Sequence, residues 1–258
     1  MNKVSISAVI ICLNEQSNIE RCLKSLNWVD EIVVYDSGST DKTVDIAQQY
    51  GARVTCGPWL GFGPTKRKAT ELAQNAWILS VDADEEIPED LYLEIRDKLP
   101  LLSPETAFKI PRLSFFMGRW IRHGGWFPDC QLRLFNKKYY QWNSEPIHEK
   151  VEIISSSHAQ FRVDVLKNHF NHYVFKNIEH QINTNNKYST LQSKKMYEDK
   201  KFFSYFHFMT KPYVKFVECY FLKLGFLDGW AGYVIARNAA YSVYLKWVKL
   251  KELYDEKQ

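Results

Sequence analysis

Long uninterrupted apolar runs are missing from this 258-residue chain. No charge-free stretch reaches the roughly 18 residues that a bilayer-spanning helix needs, so no spanning segment is expected. Cysteine is sparse: Cys12, Cys22, Cys56, Cys130 and Cys219 are scattered, odd in number and never in a CxxC pair. That argues against a disulfide framework and a cysteine-based zinc site, and it fits a reducing compartment. Charge of one sign is also lacking. With 34 Lys and Arg against 30 Asp and Glu, the net charge of +4 is too mild to point to nucleic acid. Internal repeats, low-complexity segments and a recognisable Ser-His-Asp or Cys-His arrangement are absent. No small-residue cleavage site follows the short apolar run in "MNKVSISAVIICLNE". Glu15 and the helix-like stretch behind it make that run a core strand rather than a signal peptide.

What is present can bury a sizeable core, since 45% of residues are hydrophobic. The length suits one large domain, or one domain with an appendage. Charge and aromatic residues are unevenly spread. From Lys200 to Gln258 there are ten Lys and Arg against five Asp and Glu, a net of +5, leaving −1 for the rest. A basic tail rich in rings points to an anionic surface such as a membrane.

The first hundred residues alternate. "VSISAVIICL", "EIVVYD", "ARVTC" and "WILSVD" read as buried strands, being apolar and rich in β-branched residues. Between them, "SNIERCLKSL", "STDKTVDIAQQYG" and "KRKATELAQNA" read as helices, and "PEDLYLEIRDKL" follows the fourth strand. Ser39 or Thr40 is the expected cap of the second helix and Gly51 its stop. Such alternation predicts an α/β fold, a mainly parallel sheet flanked by helices. Ligands of such sheets bind beyond the carboxyl ends of the strands. Asn14, Glu15, Asp36, Asp82 and Asp84 all fall there. From about 106 to 170 the pattern turns strand-rich, with "RHGGWFPD" as a loop. From 176 onward it predicts helices at roughly 176–200, 203–224 and 229–253.

"WILSVDADEEIP" places Asp82, Asp84, Glu85 and Glu86 within five positions at a strand end. Asp82 and Asp84, two apart in an extended segment, face the same way. Two carboxylates on one side form a hard-oxygen site suited to Mg²⁺ or Mn²⁺ with positions open for phosphate oxygens. The plain alternative is that acids before "PEDLYLEI" favour a helix N-terminus.

Three strand-end motifs in register, "VIICLNE", "VVYDSGSTDKT" and "ILSVDADE", followed by "GGWFPDCQLRLF" and "EPIHE", resemble the inverting family-2 glycosyltransferases of GT-A fold. The chain looks most similar to the branch that adds hexoses, glucose above all, to the inner core of bacterial lipopolysaccharide. The similarity runs on into the helical tail with "GFLDGWAGY".

The resemblance implies the following roles. Leu13, Asn14 and Glu15 would line the nucleotide site. Asp36 would accept from the imide N–H of uracil, although "DSGST" is also strong turn chemistry. Lys66 or Arg67 would touch the diphosphate, with a solvated helix face as the alternative. Asp82 would contact the donor's ribose or metal-bound water, and Asp84 would bind the metal. Asp129 matches the base that takes the acceptor's hydroxyl proton, its alternative being a loop acid before a strand. Arg133 and Gln131, two apart, would share a face and support the donor phosphate or that base. His148 would complete the metal shell, and Glu149 would contact the acceptor.

The expected division is a catalytic domain over 1–175 and a helical region over 176–258. Lysines among the aromatics of 202–253 suit helices lying in a membrane interface, or else packing on the catalytic domain or another subunit. The whole reads as a metal-dependent hexosyltransferase at the inner face of the cytoplasmic membrane. It would pass sugar from a UDP-sugar to a lipid-linked glycan. Rival readings are a transferase acting on an undecaprenyl-linked oligosaccharide and a non-catalytic nucleotide-sugar-binding module. A nucleotidyltransferase on a similar sheet would need a Gly-rich, basic first loop, where this chain has "CLNEQSN".

Overall fold

A computed structural model describes residues 4–101, 103–145, 149–154 and 160–256. Two compact units are present. One comprises the chain up to Arg112 together with Asp129–His172, and the other Leu113–Pro128 together with Tyr173 onward. The second unit begins near the expected division at 175, but it also takes in Leu113–Pro128. That segment begins inside the strand-like run "AFKIPRLSFF" and carries no helical signal, so sequence pattern alone could not group it with the helices.

In the first unit, β1 (Ile6–Cys12), β2 (Glu31–Asp36), β3 (Arg53–Cys56) and β4 (Trp77–Asp82) pair in parallel in the order β3-β2-β1-β4. Their β-branched and aliphatic residues suit a sheet buried on both faces. Alternation along β1 divides the core. Ile6, Ala8 and Ile10 pack with Ile19 and Leu23 of α1 (Ile19–Lys24) and with Leu91 and Ile95 of α4 (Glu89–Lys98). Val9 instead joins Ala69 of α3 (Phe62–Leu72) on the opposite face. The helix α2 (Thr43–Gln49) contributes Ala47 to the α1 side. The sheet continues in antiparallel sense: β8 (Asp129–Asn136) pairs with β4 and with β6 (Thr106–Phe116).

Three short strands carry no readable pattern: β5 (Glu85–Glu86), β7 (Arg119–Ile121) and β9 (Tyr140–Trp142). They are two or three residues long, too short to show a period; β7 folds back on β6 in a hairpin, whereas β5 pairs with distant chain. β9 pairs with β10 (Val151–Ile153), and β11 (Arg162–Val165) runs parallel to β6. β5 pairs with β12 (Phe170–His172), setting His172 opposite Glu85.

Two helix starts differ from expectation. α2 begins at Thr43, whose N–H is accepted by the Asp41 carboxylate at 3.0 Å. Ser39 and Thr40 are engaged elsewhere, as described below. α3 begins at Phe62 because Gly61, at φ +97°, makes the turn into it. One residue further, a Cβ on Gly63 would lie 2.6 Å from the carbonyl oxygens of Asn143 and Glu145. Glycine there lets the 143–145 backbone close onto the helix.

The second unit holds α5 (Ile178–Glu198), α6 (Tyr205–Val217) and α7 (Gly229–Asp255). A π-helical turn over Glu218–Leu222 ends the predicted 203–224 helix early. Ile235 and Ala231 of α7 pack with Phe116 and Ile121 in this unit's core. Among the described residues, no helix is long and apolar enough to cross a membrane.

Candidate active site

The carboxyl ends of β1 and β2 are tied together by their loops. Asn14, in the left-handed region at φ +57°, donates its N–H to Ser39 Oγ at 2.8 Å. Its side-chain oxygen accepts from Thr40 N at 2.8 Å. Glu15 N donates to Thr43 Oγ1 at 2.8 Å, and Gln16 N to Asp41 at 3.2 Å. "LNE" and "DSGST" are thereby one wall. Leu13, Asn14 and Glu15 all lie on it. Leu13 is exposed. Asn14 and Glu15 hold the loop, Glu15 also accepting from Asn18 at 2.9 Å.

Asp36 is 2% exposed, and its carboxylate accepts from Gly38 N at 2.9 Å, Ser39 N at 2.8 Å and the Ser39 hydroxyl. These bonds give Asp36 a role in closing the turn at the end of β2. A carboxylate two residues before a glycine closes its own turn.

The acidic strand end is answered by cations from three other elements. Asp82, closing β4, is bound by Arg133 of β8, with Nη1 to Oδ1 at 3.3 Å, and by Lys66 Nζ of α3 at 3.0 Å. Arg112 of β6 lies 3.8 Å from Asp82 and 3.5 Å from Glu85. Burial pushes the Asp82 carboxyl up, but Arg133, Lys66 and Arg112 outweigh it and hold the group well below the usual carboxylate range. Glu85, fully buried, accepts from Asp82 N at 2.8 Å and faces Arg133 at 3.5 Å. Lys66 also meets Glu149 at 3.3 Å and lies over the Trp142 ring at 4.9 Å. Four carboxylates, Asp82, Glu85, Asp129 and Glu149, thus share three cations.

Along β8, Asp129, Gln131 and Arg133 share one face, as their spacing requires. Gln131 Nε2 donates to Asp129 Oδ1 at 2.7 Å. Arg112, directly across the ladder from Asp129, donates through Nε to Oδ2 at 2.9 Å. Burial raises the Asp129 carboxyl, and Arg112 with Gln131 more than reverses this, leaving it below its ordinary value.

Arg67 is not brought in. Its side chain is 41% exposed and pairs with Glu71 at 3.3 Å, one turn on along α3. Lys66, its neighbour, faces the cluster instead, because adjacent helical residues point about 100° apart.

His148 lies outside the described residues. Beside Asp84 stands a residue that sequence reasoning missed: His172 Nε2, 3.4 Å from Asp84 Oδ2. Burial pushes this imidazole down, but Asp84 and Glu85 outweigh it and raise it overall. Among the described residues, no three His, Cys, Asp or Glu converge as a complete metal cage. Asp84 and His172 supply one hard oxygen and one imidazole nitrogen, a pair that fits a divalent ion taking its remaining ligands from phosphate oxygens and water. Arg112, Glu85 and Trp142 were also missed. Arg112 left a trace as one of two cations inside the strand-like run "AFKIPRLSFF", and Glu85 as part of the acidic run after "WILSV".

This α/β sheet gathers ionised carboxylates and cations at its strand ends, where sheets of this kind bind their ligands. Residues 7–170 match the model of glycosyl transferase family 2. A glycosyltransferase of Rickettsia felis is 34% identical over 254 residues, spanning 96% of this chain and 89% of that one. The lipopolysaccharide core biosynthesis glycosyltransferase LpsC of Rhizobium meliloti is 28% identical over 259 residues, spanning 96% and 92%. Glucosyl-3-phosphoglycerate synthase of Mycobacterium tuberculosis, solved with Mn²⁺, UDP and glucosyl-3-phosphoglycerate, is 29% identical at a TM-score of 0.34, covering 45% of each chain. This chain belongs to glycosyl transferase family 2.

Proposed function

We propose that this glycosyltransferase passes a hexose, glucose in the first instance, with inversion from a UDP-sugar to a sugar of a lipid-linked glycan. A lipopolysaccharide core is the favoured acceptor, and the work is done at the inner face of the cytoplasmic membrane. The observation that carries the reading is the joining of Asp82 and Glu85 to Asp129 through Arg112, with Arg133 and Lys66 held on Asp82.

Each residue then has a task. Asp129 takes the acceptor's hydroxyl proton on a carboxylate oxygen, while Arg112 and Gln131 fix its orientation. The acceptor oxygen forms its bond to the anomeric carbon as the bond from that carbon to the diphosphate breaks. Arg133 and Lys66 put positive charge where the departing diphosphate gathers negative charge. Among the described residues, Arg133 Nε and Trp142 Nε1 are buried with no hydrogen-bond partner, so this wall retains donors for an anionic ligand. Asp84, with His172 or His148, would hold a Mg²⁺ or Mn²⁺ ion, whose charge further stabilises the diphosphate. Leu13 faces the nucleotide from the wall that Asn14, Glu15 and Asp36 shape, and Glu149 is the acceptor-side acid.

The test is UDP release across a panel of UDP-hexoses with and without extracted core glycolipid, read with mass spectrometry of the product. A hexose added to the glycolipid from one UDP-sugar is the expected result. Binding of UDP-sugar with no transfer to core or undecaprenyl-linked acceptors would favour a binding module instead.

A further inference from the structure

The second unit presents an apolar surface that its own fold does not cover. The thirteen residues of α6 include no buried one, although the helix is rich in rings and aliphatics. Phe206, Met209 and Tyr213 recur at i, i+3 and i+7, so they form one face. Each of the three is at least 70% exposed. Self-contained helices bury such a stripe, and soluble surfaces seldom carry one this concentrated.

Beside that stripe, between α6 and α7, runs a groove of about 450 Å³. Pro212, Phe216, Ala240, Tyr241 and Tyr244 make it apolar. Arg237 is the one ion on its wall, its guanidinium 6.0 Å from the centre of the Phe216 ring. An apolar trough with a single cation matches an apolar chain with an anionic head. Leu222, Leu227 and Trp230 of the same unit are also more than half exposed.

The charge around α6 is of one sign along much of its length. Lys211 and Lys215 follow each other at i, i+4, and Lys201 precedes the helix. Lys246 of α7 is held below its ordinary value by burial and then by Lys211, Lys201 and Lys215. Glu218, at the helix end, pairs with Lys215 at 3.1 Å and also with Lys223. Four lysines close enough to repel one another are offset by an external anion at less cost than by dispersal. Lysines flanking an apolar helical face can place their stems along it and their ammonium groups at a layer of phosphates.

We propose that this face of α6 and α7 lies on an anionic lipid bilayer, with Phe206, Met209 and Tyr213 among the acyl chains, a single chain entering the groove beneath Arg237, and the lysines at the headgroup phosphates. The proposal rests on the reading of the enzyme as one that works at a membrane, and it names the surface and the lipid chemistry. Exposed Trp230 and Tyr241 belong to the headgroup zone, where rings with a polar edge are favoured.

The experiment uses the full chain and vesicles of phosphatidylcholine with or without phosphatidylglycerol. Sedimentation should show binding to the anionic vesicles, weakened by salt, and little to the neutral ones. Met209→Glu with Tyr213→Glu, at exposed positions where folding is not at stake, should cut partitioning by about tenfold or more and leave UDP binding intact. Arg237→Gln should lower the preference for phosphatidylglycerol. Full chain that stays in the supernatant with anionic vesicles overturns the proposal. So does a self-associating protein that the double variant turns into monomers, because the face then belongs to a second copy. Vesicle binding lost in the double variant, in a protein that transfers no sugar to any glycolipid, supports the membrane face and removes the transferase reading instead.

Discussion

Lys66 Nζ stands 3.0 Å from Asp82 Oδ1, buried beneath the Trp142 ring. The acid at the end of β4 therefore has its first counter-charge inside the protein. A divalent ion is not required to keep Asp82 ionised, and that leaves Asp84 as the strand-end acid with the simpler claim to a metal. Asp82 then serves to hold Lys66 and Arg133 in place, two cations that a diphosphate would meet.

Mn²⁺ should raise the affinity for UDP, and Asp84→Asn should abolish that gain, since it removes the anionic oxygen of the pair with His172. Titration calorimetry with Mn²⁺ and with EDTA reads this directly. His172→Ala should lose most of the same gain. Should His148→Ala lose it while His172→Ala keeps it, the imidazole ligand is His148, and His172 serves only to brace β5 against β12.

Arg133→Met is expected to destabilise the fold by about 3–5 kcal/mol, because it leaves Glu85 buried and Asp82 half-answered. Denaturant unfolding measures the loss. Arg67→Met, in contrast, removes an exposed helix pair and should change stability by no more than about 0.5 kcal/mol. Equal effects from the two would mean that the buried network contributes nothing beyond an ordinary surface pair.

Asp129→Asn should retain UDP-sugar binding while kcat falls by about 10²–10⁴-fold, as removal of a general base requires. Arg112→Gln tests the geometry behind it. Without the guanidinium, the Asp129 carboxyl rises toward its ordinary value, so the acid limb of kcat/KM should move to higher pH. A pH profile unchanged by Arg112→Gln, or near-normal kcat in Asp129→Asn, would shift the base to another acid such as Glu149.

The parallel half of the sheet was legible because each strand is a short β-branched run followed by an amphipathic helix, and period and punctuation are local properties. The pairing of β5 with β12 was not. Two residues on each side carry no periodicity, and they meet across more than eighty positions of chain. His172 was invisible for that reason, since nothing in "NHFNHY" points to Asp84. Asp36 shows the opposite case. Its turn chemistry was written in "DSGST", and the hydrogen bonds from Gly38 and Ser39 show that turn. The spacing that put Gln131 and Arg133 on one strand face could be read ahead of the structure, whereas the place of Asp129 on that strand and its partner across the ladder, Arg112, could not.

Asp36→Ala should lower the affinity for UDP and for a base-free sugar phosphate by similar factors, because the carboxylate acts through the loop it closes. Losing a bond of this kind costs about 0.5–2 kcal/mol, enough to loosen Ser39 and, through it, the Asn14 N–H. Asp36→Asn retains one acceptor oxygen and should fall between parent and alanine in thermal stability. A loss confined to uridine ligands would instead show direct recognition of the base by Asp36.

The last expectation concerns acid. Asp82 and Asp129 both have folded-state pKa values below their ordinary 3.8, Asp82 well below. A carboxylate depressed on folding adds stability that is fully present above its unfolded pKa and is lost as pH falls toward the folded one. The melting temperature should therefore be nearly level from neutrality down to about pH 5 and drop below about pH 4, as these carboxylates begin to take up protons. In Asp82→Asn the overall melting temperature should be lower, because Lys66 and Arg133 lose their counter-charge, and the acid drop should be shallower, because one of the titrating groups is gone. An acid transition of the same steepness in Asp82→Asn would place the acid-sensitive contacts elsewhere in the fold and leave the Lys66–Asp82–Arg133 bridge without the weight given to it.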